Sequence, residues 1–211
     1  MSRFKLRNAP GTWLVVALVG ATFALGACSS SEPKEKFQAS DITGAGWGRD
    51  FRLVDPGGTP RTLADYRGKV VMLFFGYTNC PDACPTTLAK MAQAVEQLGS
   101  EGQRVQGLFV TVDPARDTPG VLARYVPYFN PTFVGLSADP ARIAGTAKDF
   151  KVFYEAQKPD VKGFYTVDHA SGIFVFDSRG HLRIFMGPNI WVDAMVHDLR
   201  LLLREAAAEK Q

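Results

Sequence analysis

Two cysteines four residues apart stand between a predicted strand and a predicted helix. The apolar, β-rich run from Val70 to Phe75 precedes Cys80 and Cys84, and a stretch with apolar residues at helical spacing follows them. A strand-to-helix turn of this kind places the thiols at the positive end of a helix, which favours thiolates. Such thiolates either exchange disulfides or hold a soft metal ion.

The first 27 residues are typical of an export signal. Three basic residues, Arg3, Lys5 and Arg7, precede an apolar stretch that runs from Trp13 to Leu25. The remaining 21 of the 24 basic side chains balance the 21 acidic ones. This balance argues against a nucleic-acid-binding surface.

Small residues at positions 26 and 27 lead into Cys28, and this segment resembles the bacterial lipoprotein box. The resemblance implies a signal peptide over 1–27, a lipid on Cys28 and a lipidated tether over 28–43, followed by a domain over 44–211. The alternative is an uncleaved anchor, because no charged residue lies between Arg7 and Glu32. In both cases the domain is expected in the cell envelope, on the periplasmic side of a membrane.

A lipid on Cys28 would leave Cys80 and Cys84 as the free thiols of the mature chain. An oxidising compartment favours a disulfide between them. A purely structural disulfide is disfavoured, because so short a loop removes little entropy from the unfolded chain.

The order of the predicted elements indicates an α/β, thioredoxin-like fold, with a central mixed sheet flanked by helices and an N-terminal β-hairpin. The last helix is expected to bury Trp191, Met195, Leu199 and Leu202 on one face. Ligand chemistry is expected at the carboxyl ends of the parallel strands, where Cys80 begins its loop. The elements are a hairpin over 51–62, strands over 69–75, 105–112 and 133–136, helices starting after 80, 118 and 139, a second hairpin over 173–185 and the last helix.

The spacing of the cysteines favours a metal ion over a disulfide. If both lie on one helix face, their Cβ atoms are about 5–6 Å apart, whereas a disulfide needs about 3.5–4.5 Å. His169, just before the strand that starts at Ile173, is expected to face the cysteine loop. The alternative is a core histidine, or one that only supports the metal ligands. His181 and His197 are expected to be solvated.

Three motifs follow one another along the chain: Thr78-Asn79-Cys80-Pro81-Asp82-Ala83-Cys84-Pro85, the segment 111–119 with Asp113-Pro114-Ala115-Arg116-Asp117, and Val167-Asp168-His169. In this order they resemble the Sco/SenC family, and the resemblance covers about Phe51 to Leu203. One departure is Ala170, where the resemblance leads us to expect serine or threonine more often.

The resemblance implies a membrane-tethered copper metallochaperone that serves the copper A site of cytochrome c oxidase subunit II, with Cys80, Cys84 and His169 as metal ligands. Another periplasmic protein could donate the copper. Two thiolates and an imidazole suit Cu(I) and Cu(II), although Asp168 or water could complete a zinc site. The resemblance therefore favours a metal-binding chaperone over an enzyme.

The alternative function is a thiol-disulfide oxidoreductase that uses Cys80 and Cys84 as a catalytic redox pair on the same subunit. Peroxide reduction is disfavoured, because the Pro-x-x-x-Thr-x-x-Cys pattern is missing. Asp113, Arg116 and Asp117 are expected to cap turns and pair with one another rather than contact a metal. Tyr77 and Phe75 are expected to be wall or partner contacts.

Overall fold

A computed structural model of the protein describes residues 35–208, so the predicted signal peptide and Cys28 lie outside the described residues. Within residues 35–208 there are four α-helices, ten strands and two short 3-10 helices, Leu63–Tyr66 and Gly99–Arg104. The helices are α1 (Ala83–Gln97), α2 (Pro119–Phe129), α3 (Pro140–Asp149) and α4 (Val192–Ala208). The strands are β1 (Ser40–Asp41), β2 (Leu53–Val54), β3 (Pro60–Arg61), β4 (Val70–Gly76), β5 (Val105–Thr111), β6 (Val134–Leu136), β7 (Tyr154–Ala156), β8 (Val167–His169), β9 (Ile173–Phe176) and β10 (Leu182–Met186).

The central sheet is mixed, as predicted, and has the strand order β1-β10-β9-β4-β5-β6. Strands β4, β5 and β6 are parallel, whereas β9 runs antiparallel to β4 and to β10. Every residue of β4 and β5 is buried, which explains why these strands are nearly continuous apolar runs. Two hairpins, β2-β3 and β7-β8, form separate two-stranded sheets.

Helices cover both faces of the central sheet, which confirms the thioredoxin-like layout. On one face Phe74 of β4 packs against Phe109 of β5, which contacts Tyr125 of α2. On the other face Phe75 packs against Phe150, at the end of α3. Successive side chains of a strand point to opposite faces, so Phe74 and Phe75 divide the core into two layers.

The fold includes residues that the sequence analysis places in the tether. Ser40 belongs to β1, which pairs with β10. The backbone N–H groups of Gln38 and Ala39 donate hydrogen bonds of 2.8 and 2.9 Å to the buried carboxylate of Asp198 in α4. The structured chain therefore begins ahead of Gly44.

The last helix buries its predicted apolar face except at its start. Met195, Leu199 and Leu202 are buried, but Trp191 is 80% exposed because α4 begins one residue after it. Over residues 35–208, no helix is both long enough and apolar enough to cross a membrane.

Candidate metal and dithiol site

Cys84 lies in the first turn of α1 and is fully buried against the end of β4. A Cβ atom on Gly76 would lie 2.7 Å from the Cys84 sulfur and 2.9 Å from the Phe109 ring. Atoms cannot approach so closely, so a residue without a side chain is required where the sulfur meets the strand. The cysteine therefore sits at the carboxyl end of a parallel strand, where ligand chemistry was predicted.

Cys80 precedes α1 and is half-buried. Its backbone N–H donates to the carbonyl of Tyr77 at 3.3 Å, which closes a turn. Its sulfur accepts a 3.4 Å hydrogen bond from the backbone N–H of Cys84. The two cysteines therefore do not share a helix face, and the Cβ separation expected for such a pair does not apply.

His169 ends strand β8, opposite Tyr154 of β7, and contacts the buried cysteine. Its Nε2 atom lies 3.3 Å from the sulfur of Cys84, and its Nδ1 atom lies 3.1 Å from the carbonyl oxygen of Val167. A carbonyl can only accept a hydrogen bond, so Nδ1 carries the proton and Nε2 presents its lone pair to the sulfur. This tautomer is the one that a metal ion bound at Nε2 requires.

Aromatic rings fix the orientation of the imidazole. Tyr77, which is buried, packs edge-on against the His169 ring at 5.5 Å between centres. Phe74 lies on another side at 6.4 Å. Tyr77 is therefore a wall of the site, as predicted, whereas Phe75 belongs to the core on the opposite face of the sheet.

Burial keeps both contacting groups neutral. It raises the pKa of the Cys84 thiol far above its ordinary value, and it lowers the pKa of His169. Burial disfavours the charged form of each group, the thiolate and the imidazolium. The expectation that the helix N-terminus favours thiolates does not hold for Cys84, because burial raises the pKa of its thiol.

The donor atoms fit a soft metal ion. Metal bonds of about 2.3 Å to sulfur and about 2.0 Å to nitrogen place tetrahedral ligands roughly 3.5 Å apart, close to the 3.3 Å between Cys84 and His169. Within residues 35–208 no group of three or more His, Cys, Asp or Glu side chains is already arranged around a metal position. The half-buried Cys80 is the candidate for a third donor, because its sulfur accepts a hydrogen bond from the backbone N–H of Cys84.

Asp168 does not supply the fourth ligand considered for zinc. Its side chain is exposed and accepts a 2.7 Å hydrogen bond from the amide of Gln157. The other two histidines pair elsewhere in the fold. His181 contacts Asp177 beyond β9, and His197 contacts Asp198 in α4.

Asp117 holds the cysteine loop from a neighbouring strand end, a role that the sequence analysis missed. Its buried carboxylate accepts hydrogen bonds from the backbone N–H and hydroxyl of Thr78 at 3.0 and 2.5 Å, and from the hydroxyl of Thr111 at 2.6 Å. It neither pairs with Arg116 nor caps α2, whose N-cap is Thr118. It fixes the residue two positions before Cys80.

Asp113 and Arg116 form an ion pair, as predicted, and also contact the segment that carries His169. Arg116 donates from Nη1 to the carbonyl oxygen of Tyr165 at 2.7 Å. The Tyr165 hydroxyl donates to Asp113 at 3.0 Å. The loop after β5 thus contacts both the cysteine loop and the hairpin that carries His169.

Comparison with known proteins places this geometry in a family. The family model described as SCO1/SenC matches residues 40–204. The mitochondrial SCO2 homolog of Mus musculus is 35% identical over 205 residues, which cover 92% of this chain and 80% of that protein. The Bos taurus homolog is 41% identical and covers 79% of this chain, with 65% of its own length matched.

Solved structures agree with the sequence relatives. Apo Sco1 from Thermus thermophilus is 39% identical with a TM-score of 0.72, covering 81% of this chain and 99% of that one. Arabidopsis thaliana ScoI with copper bound is 31% identical with a TM-score of 0.69, covering 74% and 97%. BsSco, 21% identical with a TM-score of 0.60 over 79% and 97%, supports the fold alone. The chain belongs to the SCO1/SenC family.

Proposed function

We propose that this protein is a copper metallochaperone that binds copper through Cys80, Cys84 and His169 and serves the copper A site of cytochrome c oxidase subunit II. The observation that carries the proposal is the 3.3 Å contact between the Cys84 sulfur and the unprotonated Nε2 of His169. Thiolate and imidazole donors suit Cu(I) by softness and Cu(II) by affinity.

The relatives support this metal and this role. Structures of Arabidopsis thaliana ScoI, Bradyrhizobium japonicum ScoI and yeast Sco1 have been solved with copper bound. The family to which this chain belongs is described, in the case of its member BsSco, as one of cytochrome c oxidase assembly proteins. Subunit II as recipient and another periplasmic protein as copper donor are parts of our proposal.

The unequal burial of the three donors suggests how copper enters and leaves. Cys84 is fully buried, whereas Cys80 and His169 are each half-buried, and Cys80 lies on a loop whose neighbouring residues at 79 and 81–83 are exposed. A partner thiol can therefore approach the metal from the side of Cys80. Copper would pass by exchange of this ligand first, while Cys84 and His169 still hold it.

A second function, thiol-disulfide exchange on the same subunit, is favoured by the pairing of an accessible thiol with a buried one. Both cysteines are free, and the Cys80 sulfur already contacts the backbone of Cys84. Cys80 would attack a partner disulfide to form a mixed disulfide. Cys84 would then displace the partner as a thiol, which reduces the partner and leaves a Cys80–Cys84 disulfide. This reaction does not need His169, whereas copper retention does.

We also propose that residues 1–27 are a signal peptide and that a lipid on Cys28 tethers the domain at the cell envelope. The basic and apolar pattern before Cys28 supports this assignment. A Cys28→Ala variant should lose lipid labelling and keep its copper site. Unchanged lipid labelling would contradict the assignment.

The function is tested by mixing the copper-loaded full chain, in detergent, with the metal-free copper A domain of subunit II. We expect the absorption spectrum of a copper A centre to develop with the wild type and to fail with His169→Ala. A parallel sample receives copper-free, reduced protein and the disulfide form of subunit II, and partner thiols are counted. Thiol reduction with no copper transfer would favour the oxidoreductase.

A further inference from the structure

The hairpin β7-β8, with its connecting loop 157–166, carries His169 and buries little apolar surface. Val161 and Phe164 are 102% and 49% exposed, and Phe153 just before β7 is 65% exposed. Val167 is buried, and Tyr154 and Tyr165 are partly buried against the core. Apolar burial of about 25 cal/mol per Å² is the main term that fixes an element against a core. Specific contacts must therefore contribute strongly to where this hairpin lies.

Arg116 supplies such contacts to the base of the hairpin. Its guanidinium carbon lies 3.5 Å from the centre of the Tyr165 ring, and its Nη1 donates to the Tyr165 carbonyl oxygen at 2.7 Å. Its Nε donates to the carboxylate of Asp113, which also accepts from the Tyr165 hydroxyl. Stacking, one backbone hydrogen bond and a shared carboxylate thus hold a residue four positions before His169.

The same guanidinium also reaches the cysteine side of the site. It lies 5.6 Å from the ring centre of Tyr77, whose edge packs against the His169 ring. The next residue in the chain, Asp117, binds the backbone and hydroxyl of Thr78. Arg116 therefore lies between the cysteine loop and the hairpin that carries His169. These two segments must be in contact if Cys84 and His169 are to form a pair.

We propose that Arg116 is a positioning residue that holds His169 over Cys84, and so maintains copper binding while leaving the dithiol chemistry of Cys80 and Cys84 intact. The inference rests on the proposed copper function. If the hairpin leaves its place for part of the time, the apparent affinity for copper falls by the fraction of chains that remain competent. Loss of a residue that orients a metal ligand typically weakens binding by about 10–100-fold.

The test measures Cu(I) affinity of the full chain in detergent by competition with a chromophoric Cu(I) chelator. Arg116→Ala should weaken binding by about 10–100-fold. Arg116→Lys should lie between it and the wild type, because lysine keeps the charge but lacks the planar fork and the stacking surface. The matched control is Arg142→Ala, because Arg142 forms an exposed pair with Asp139 at the same i,i+3 spacing. It should change nothing.

A double-mutant cycle separates positioning from general damage to the fold. In a His169→Ala background, Arg116→Ala should cause no further loss of Cu(I) affinity, because its effect passes through His169. The rate at which a dithiol reductant opens the Cys80–Cys84 disulfide should be the same with and without Arg116. An equal affinity loss in both backgrounds, or wild-type affinity in Arg116→Ala, would overturn the inference.

Tyr165→Phe is the milder variant if Arg116→Ala does not fold. It removes only the hydroxyl bond to Asp113, and we expect a smaller loss of affinity that again disappears in the His169→Ala background. If Arg116→Ala does not fold and Tyr165→Phe binds Cu(I) as tightly as the wild type, the inference is contradicted. Failure of the wild-type chain to bind Cu(I) would instead remove the proposed function itself.

Discussion

The imidazole of His169 and the sulfur of Cys84 are 3.3 Å apart, and the ring nitrogen that faces the sulfur carries no proton. The neutral thiol can donate its hydrogen to that nitrogen, so the resting pair is a hydrogen bond between two neutral groups. A soft metal ion held by Cys84 and His169, as we propose, would displace this one proton. The contact therefore brings two candidate ligands together without burying a charge.

Replacing His169 by alanine should weaken copper binding by more than about 100-fold, a larger loss than that for a residue that only orients a ligand. The two cysteines should still form a disulfide, which a thiol count after mild oxidation would show. The control is His181→Ala, because His181 is 65% exposed and pairs with Asp177. Copper affinity equal to that of the wild type would move the ligand role away from His169.

The two thiols should differ in reactivity. Cys80 is half-buried, whereas Cys84 is fully buried and its pKa is raised by that burial. Because the thiolate is the reactive form, limited iodoacetamide should label Cys80 more than about tenfold faster than Cys84 in the reduced, metal-free protein. Peptide mass spectrometry measures both rates, and labelling in denaturant should make them equal. Faster labelling of Cys84 would show that the folded chain does not protect it.

Local sequence signals predicted most of the elements around the site. Helices α2 and α3 begin at Thr118-Pro119 and Asp139-Pro140, where the threonine hydroxyl and the aspartate carboxylate accept backbone N–H groups as N-caps. Strand β4 was evident from its apolar run, and it leads directly to the cysteines. These features depend on residues that are close together in the sequence, so they can be predicted from a single amino-acid sequence.

The features that the sequence did not reveal depend on distant contacts. Strand β8 has three residues, and it is a strand because it pairs with β7. Asp117 binds Thr78, which is 39 positions away, and no local pattern signals that pairing. The neutral state of Cys84 follows from its close packing under Gly76 and Phe109. Each of these features depends on contacts that exist only in the folded sheet.

Copper affinity should rise with pH around neutrality. The raised pKa of Cys84 means that copper must displace its thiol proton, so affinity gains about tenfold per pH unit for that proton until its pKa is reached. The pKa of His169 is lowered by burial, so its protonation competes only below the ordinary histidine range. Dissociation constants measured between about pH 6.5 and 8.5 test this dependence. An affinity independent of pH would contradict a protonated Cys84 in the free protein.

Asp117→Ala should lower the free energy of unfolding by about 2–4 kcal/mol, because the partly buried Thr78 and the buried Thr111 lose their hydrogen-bond acceptor. Urea unfolding of the reduced, metal-free chain measures the change. The comparison is Asp139→Ala, which removes an exposed N-cap from α3 and should cost only about 1 kcal/mol. Equal losses in the two variants would remove the special role assigned to Asp117.

We propose that Cys80 and Cys84 serve both as the copper ligands and as the redox pair, so that copper and a disulfide exclude each other. The most direct test is an anaerobic copper titration of the full chain in detergent, with metal and free thiols counted per chain. The reduced protein should bind one copper ion, which then protects both thiols from alkylation. The protein with a Cys80–Cys84 disulfide should bind none tightly until it is reduced. Equal, tight loading of the oxidised and reduced forms would show that these cysteines are not the ligands.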